Sequence, residues 1–143
     1  MMISEMKEIE LEDIAIICNY INDEASSNGV MTDPYAVSSN IEFLIKDRDN
    51  GSYKIEDDGV IVAFIVYESQ YHENTLAHFY VEPRYRTYRS VMVPLVSNLV
   101  EVFKGKRLYY KKLHNGVDAI THYANDGEID IEALEEFVNR IKR

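Results

Sequence analysis

Eight consecutive apolar residues, Val60-Ile-Val-Ala-Phe-Ile-Val-Tyr67, constrain what this chain can fold into more than any other feature. The run is rich in β-branched types and follows Asp58-Gly59, a dipeptide suited to a tight hairpin turn. A segment this apolar reads as a central strand buried on both faces. Ser52-Tyr-Lys-Ile55, ahead of the turn Glu56–Gly59, supplies its antiparallel partner. At 143 residues the chain has the usual size of one domain, able to bury roughly 70% of the surface its unfolded form exposes. No repeat, low-complexity tract or Pro/Gly-rich linker interrupts it, so residues 1–143 read as a single domain. No apolar run approaches the roughly 18 residues that span a bilayer. Met1-Met-Ile-Ser-Glu5 lacks the basic and apolar regions of a secretory leader. The lone Cys18 lies in an apolar-periodic segment and reads as a buried core thiol. Together these features lead to the expectation of a cytoplasmic protein that does not enter membranes.

Around the hairpin, Lys7–Leu11 alternates like a first strand, and Asp13 opens an amphipathic helix through Ile21. Residues 24–37 read as a loop, with Asn28-Gly29 and Asp33-Pro34 as turn signals. Ser38 or Ser39 would cap a second helix, Asn40–Lys46, with Ile41, Leu44 and Ile45 on one face. A strand is expected over Thr75–Val81, where strict alternation puts Leu76, His78 and Tyr80 on one face and Ala77, Phe79 and Val81 on the other. The next helix runs to about Phe103 and carries the stripe Met92, Leu95, Leu99 and Phe103. Pro94 is expected to delay its regular part, because proline lacks an N–H and disfavours α geometry at Val93. Gly105 ends the helix, and Leu108–Lys112 is a further strand. Beyond residue 115 the pattern leaves at most one short strand, Glu128–Ile131. Asp130 then caps a terminal helix with Leu134, Phe137, Val138 and Ile141 on one side. That helix either closes the core, the favoured reading, or docks a second subunit as a homodimer.

Charge is unevenly spread. The net charge is −10, and all of the imbalance lies in residues 1–60. Residues 84–112 instead carry eight basic groups, Arg84, Arg86, Arg89, Lys104, Lys106, Arg107, Lys111 and Lys112, against Glu101 alone. A concentrated patch of this kind suits a phosphorylated small molecule, and a solvated rim without a ligand is the plain alternative. Nucleic acid is disfavoured, since the acidity elsewhere repels a long polyanion. Tyr80, Tyr85, Tyr88, Tyr109 and Tyr110 interleave with these cations, a mixture suited to stacking adenine, to a protein interface, or to the amphipathic boundaries of strands.

The segment Ala77-His-Phe-Tyr-Val-Glu-Pro-Arg-Tyr-Arg86, an apolar strand running through a proline turn into a helix, resembles the central motif of the Gcn5-related N-acetyltransferase (GNAT) family. A second pattern, Ala119-Ile120-x-x-Tyr123-x-x-x-Gly127, resembles another family motif, with Asn115 one residue early. The resemblance implies an α/β (α+β) fold with a mixed, mostly antiparallel central sheet flanked by helices. The C-terminal end is altered and carries an extra helix. It also implies acetyl-CoA as cofactor, bound where the strand splays from its neighbour and the next helix aims its N-terminus at the pyrophosphate. Residues 24–37 would lie over the acceptor site. In the family the turn reads roughly R-x-x-G-x-G/A; here Arg89 and Val91 stand at the glycine positions.

On this resemblance Phe79 and Val81 would meet the pantetheine arm, Val81 through its backbone. Arg86, Thr87, Arg89, Ser90 and Val91 would hold the phosphates, the arginines and hydroxyls replacing bare N–H groups. Tyr123 would protonate the departing thiolate. His78 is the candidate base, since imidazole titrates near neutrality. Glu73 and Glu82 compete for that role, and each of these residues also has an ordinary structural reading. No metal-ligand spacing, Walker loop or G-x-S-x-G occurs. The expected function is acetyl transfer from acetyl-CoA to an amine-bearing small molecule or protein. The alternative is a catalytically inactive GNAT-like interaction protein that has lost the glycines of its pyrophosphate turn. A compact, diverged chain of that kind is compatible with a viral or mobile-element source.

Overall fold

In a computed structural model, the structure describes residues 2–6, 11–27, 29, 34–47, 49–70, 73–115 and 121–141. The chain runs β1 (Ile3–Glu5), α1 (Leu11–Ser27), α2 (Pro34–Lys46), β2 (Gly51–Asp57), β3 (Val60–Gln70) and β4 (Glu73–Val81). A single 3₁₀ turn (Pro83–Tyr85) then leads to α3 (Arg89–Phe103), β5 (Tyr109–Asn115), β6 (Thr121–Glu128) and α4 (Ile131–Ile141). Among the described residues six strands lie in sequential order in one sheet. Every neighbouring pair is antiparallel except β4 and β5, which α3 joins as a parallel crossover.

The apolar run in β3 does what its composition demands. Ile61 through Tyr67 are all buried, and alternate residues feed two cores. Ile61, Phe64 and Val66 pack with Ile14, Ile17 and Ile21 of α1 and Ile41, Leu44 and Ile45 of α2. Ala63, Ile65 and Tyr67 pack with Val91, Leu95, Leu99 and Phe103 of α3. Asp58 (φ 55°) and Gly59 (φ 81°) are both left-handed, as a two-residue hairpin turn requires.

Several expectations are corrected. Leu11, read as the end of a strand, opens α1, while residues 7–10 lie outside the described residues. The expected loop over 24–37 is shorter, because α1 continues to Ser27 and α2 already begins at Pro34, ahead of Ser38 and Ser39. Proline at a helix start is favourable, since its missing N–H would be unpaired there anyway. Pro94 does not delay α3, which is regular from Arg89. The carbonyl it leaves without an i+4 donor belongs to exposed Ser90, where solvent is a ready partner. A sixth strand, Thr121–Glu128, occupies the stretch expected to hold only Glu128–Ile131.

The terminal helix closes the core on the α3 side. Ile131 and Val138 are buried with Val96, Leu99 and Phe103. The Asp130 side chain accepts from the Ala133 N–H at 3.0 Å, so the expected cap is present. Asp130→Ala should lower stability by about 1 kcal/mol, visible as a small drop in the thermal midpoint.

Candidate cofactor-binding site

The site begins with a misfit in β4. Register pairs run Ala63↔Val81, Phe64↔Tyr80, Ile65↔Phe79 and Val66↔His78, then jump to Tyr67↔Leu76. Ala77 is therefore an extra residue, a β-bulge. Such a bulge bends its strand and raises the local twist. On the other edge of β4, pairing to β5 is limited to Thr75↔Tyr109 and Leu76↔Tyr110, just before that bulge. From Ala77 onward the two strands part, and β5 pairs only with β6. The sheet has a split whose one wall is the free edge of Ala77–Val81.

The bulge also overturns the expected alternation in β4. Leu76 packs on the α3 side, and so does Val81, while Ala77 and Tyr80 pack on the α1/α2 side. Register puts His78 opposite Val66 on the α1/α2 side, and Phe79 opposite Ile65 on the α3 side. His78 is half-buried; Phe79 is 38% exposed, unusual for a residue in the middle of a sheet.

Backbone polarity along the split follows from one hydrogen bond. The Glu82 N–H donates to the Val62 carbonyl at 2.8 Å, which makes Ala63↔Val81 a non-hydrogen-bonded pair. The N–H and C=O of Val81 therefore point away from β3, toward the split, and by alternation so do those of Phe79. An extended chain laid along this edge would meet strand-type donors and acceptors.

After Val81 the chain passes through the 3₁₀ turn into α3, whose first turn packs through Val91 on the same core as Val81 and Ala63. Tyr88 is the N-cap of α3 and provides no side-chain cap, so the end of the helix keeps its dipole and first N–H groups open to an anion. Thr87, Arg89 and Ser90 are exposed there, and Arg89 makes no ion pair among the described residues. Val91, one of the two residues at glycine positions, is fully buried against Leu95 and the sheet. Its side chain is taken up by the core, and its N–H already donates to the Tyr88 carbonyl at 3.1 Å. The turn is pinned from below, where the Tyr85 hydroxyl donates to Asp57 Oδ2 at 2.6 Å.

The Arg86 side chain is engaged with Val81 and with Glu24 of α1. Its Nε donates to the Val81 carbonyl at 2.9 Å and its terminal nitrogen to Glu24 Oε2 at 3.1 Å. Its guanidinium lies 5.9 Å from the Tyr80 ring centroid. Tyr80 makes stacked ring contacts with Tyr20, at 4.8 Å, and with Phe64, at 5.4 Å. Burial pushes the Tyr80 phenol above its ordinary pKa; Glu24 adds to the rise and Arg86 opposes it. No local signal could have exposed this cluster, because Glu24 and Arg86 are 62 residues apart.

Tyr123 lies on β6 opposite Leu113, with β5 between it and β4, so it is not on either strand that bounds the split. The Gly127 of its motif has a local reason to be glycine: φ is +154°, and a Cβ there would sit 3.0 Å from the Tyr110 ring. Glu73 begins β4 at the end away from the split, and Glu82 faces Arg84 at 3.2 Å. A groove of about 940 Å³ lies elsewhere, between the C-terminal end of α3 and α4. Its walls pair Lys104 with Glu135 and Arg107 with Glu128, and the remaining lining adds Lys106 against Asp130, Glu132 and Glu136, so the groove is net acidic and repels an anion. Among the described residues there is no metal-binding cluster and no helix long and apolar enough to cross a membrane.

No family model matches the chain, and no curated protein matches it. Solved structures do. A protein from Staphylococcus aureus subsp. aureus assigned to the GNAT acetyltransferases superposes with a TM-score of 0.61 at 18% identity, over 71% of this chain and 90% of that one. An aminoglycoside 6′-N-acetyltransferase complexed with coenzyme A gives 0.63 at 17% identity, over 82% of this chain and 64% of that one. A Clostridium acetobutylicum protein assigned as an acetyltransferase, with acetyl-CoA, gives 0.55 at 13% identity, over 76% and 80%. At such identities the likeness shows the fold alone: this chain has the GNAT fold, and two of these three structures hold CoA or acetyl-CoA.

Proposed function

We propose that the protein is a GNAT-like acyltransferase that moves an acetyl group from acetyl-CoA to an amine. The parting of β4 from β5 after Leu76 carries the reading, because it leaves backbone groups of Phe79 and Val81 facing an open edge. Arg89, Thr87 and Ser90 hold the pyrophosphate at the start of α3. Bound there, acetyl-CoA supplies a thioester carbonyl to the attacking amine. His78, directly or through water, takes the proton that the amine loses. Tyr123 returns a proton to the sulfur; this assignment rests on the Ala119-Ile120-x-x-Tyr123 pattern alone. The amine attacks the carbonyl carbon, the C–S bond breaks, and the proton count balances between His78 and Tyr123. A cationic or polar acceptor is favoured by the acidic N-terminal half, which includes Glu24 beside the split.

Calorimetry and thermal melting with acetyl-CoA test this. A ligand at about one hundred times its Kd stabilises the native state by about 2.7 kcal/mol, and the midpoint should rise accordingly. No shift at millimolar acetyl-CoA removes the enzyme. Given binding, Tyr123→Phe should slow transfer at least about tenfold with affinity unchanged; full activity would discharge Tyr123 from the acid role. The second reading, a non-catalytic binding protein on the same fold, is favoured by the commitment of Arg86 to Glu24 and Val81. It predicts a stable protein indifferent to acetyl-CoA.

A further inference from the structure

Val81 is 4% exposed, and its carbonyl points toward a neighbour strand that has already turned away. A buried carbonyl without a partner is costly. Arg86 removes that cost: it reaches back across the 3₁₀ turn and donates its Nε to the Val81 oxygen. The rest of its guanidinium is held from the α1 side, by Glu24 in the last turn of α1 and by the face of Tyr80. In effect one side chain substitutes for the missing β5 at the mouth of the split.

An extended amide-bearing chain that adds to β4 needs that same oxygen. We propose that Arg86 is a positioning residue that latches the cofactor edge: its side chain occupies the Val81 carbonyl until a ligand amide displaces it, and Glu24 holds the latch shut. The proposal rests on the reading of the split as the acetyl-CoA edge. It assigns Arg86 a role opposite in sign to that of a phosphate ligand, since a latch weakens binding and a ligand strengthens it. Displacing the latch also breaks the ion pair to Glu24, which couples the end of α1 to ligand entry.

Calorimetric titration of CoA into the wild-type protein, Arg86→Ala and Glu24→Gln separates these roles. A latch predicts that Arg86→Ala binds CoA about three- to tenfold tighter, the scale of one modest hydrogen bond. Glu24→Gln should shift affinity in the same direction by less. Binding by Arg86→Ala where the wild type shows none would support the latch on a CoA-binding edge, while removing acetyl transfer as an activity of the wild-type protein. Weaker binding by Arg86→Ala, or one affinity shared by all three proteins, overturns it while leaving the acetyl-CoA reading intact. Absence of binding by every protein overturns both. Should Arg86→Ala fail to fold, Glu24→Gln changes only a half-exposed carboxylate to its amide and carries the same test.

Discussion

Replacing Phe64 with Ala is expected to cost about 3–5 kcal/mol of stability and roughly 10–20 °C in thermal midpoint. The side chain is fully buried in the core under α1 and α2. It is also the support for Tyr80, which lies directly opposite in register and stacks on it. The hole left by truncation would sit beneath the ring on which Arg86 rests. Melting curves check the first effect. Phe64→Leu, which refills most of the volume, should recover much of the loss; a Phe64→Ala protein as stable as the wild type would show that this core is not packed as described.

Charge reversal at the start of α3 should separate affinity from stability. Arg89→Glu removes an exposed cation for which no ion pair occurs among the described residues and puts an acid at the first position of the helix. An acid there suits the dipole, so the fold should be unharmed or stabilised by a few tenths of a kcal/mol. Phosphate binding should suffer in the opposite sense. Loss of one charge-assisted contact is worth about 1.5–3 kcal/mol, or about 10- to 100-fold in Kd, and repulsion adds to it. Affinity unchanged by the reversal, measured at low salt, would move the pyrophosphate away from this helix.

Much of the architecture was legible because it depends on local rules. The run Val60–Tyr67 had to lie inside a sheet, and Asp58-Gly59 had to turn. Gly105, left-handed at φ +75°, had to end α3, and Asp130 had to cap α4 because its spacing to the first N–H groups is fixed by the helix itself. Each of these outcomes follows from a few consecutive residues. The errors came where a neighbour distant in sequence decided. Strict alternation failed in β4 because Ala77 bulges, and whether a strand bulges depends on the register of the strand beside it. The stretch with Tyr123 became a strand because β5 offered an edge to pair with, a fact absent from residues 115–127 themselves.

By itself the sequence determined the hairpin, the double-sided burial of β3, the end of α3, the cap of α4 and the order of strand, proline turn and helix, since hydrophobic period, turn chemistry and charge are local quantities. Only the tertiary structure decided which groups face the split. The bulge at Ala77 moves Leu76 to the face of Phe79 and Val81 and puts Ala77 with Tyr80, the core takes up the Val91 side chain, and Arg86 pairs with Glu24 while it donates to the Val81 carbonyl. These choices belong to contacts between segments tens of residues apart, and such contacts exist only once the chain has closed on itself.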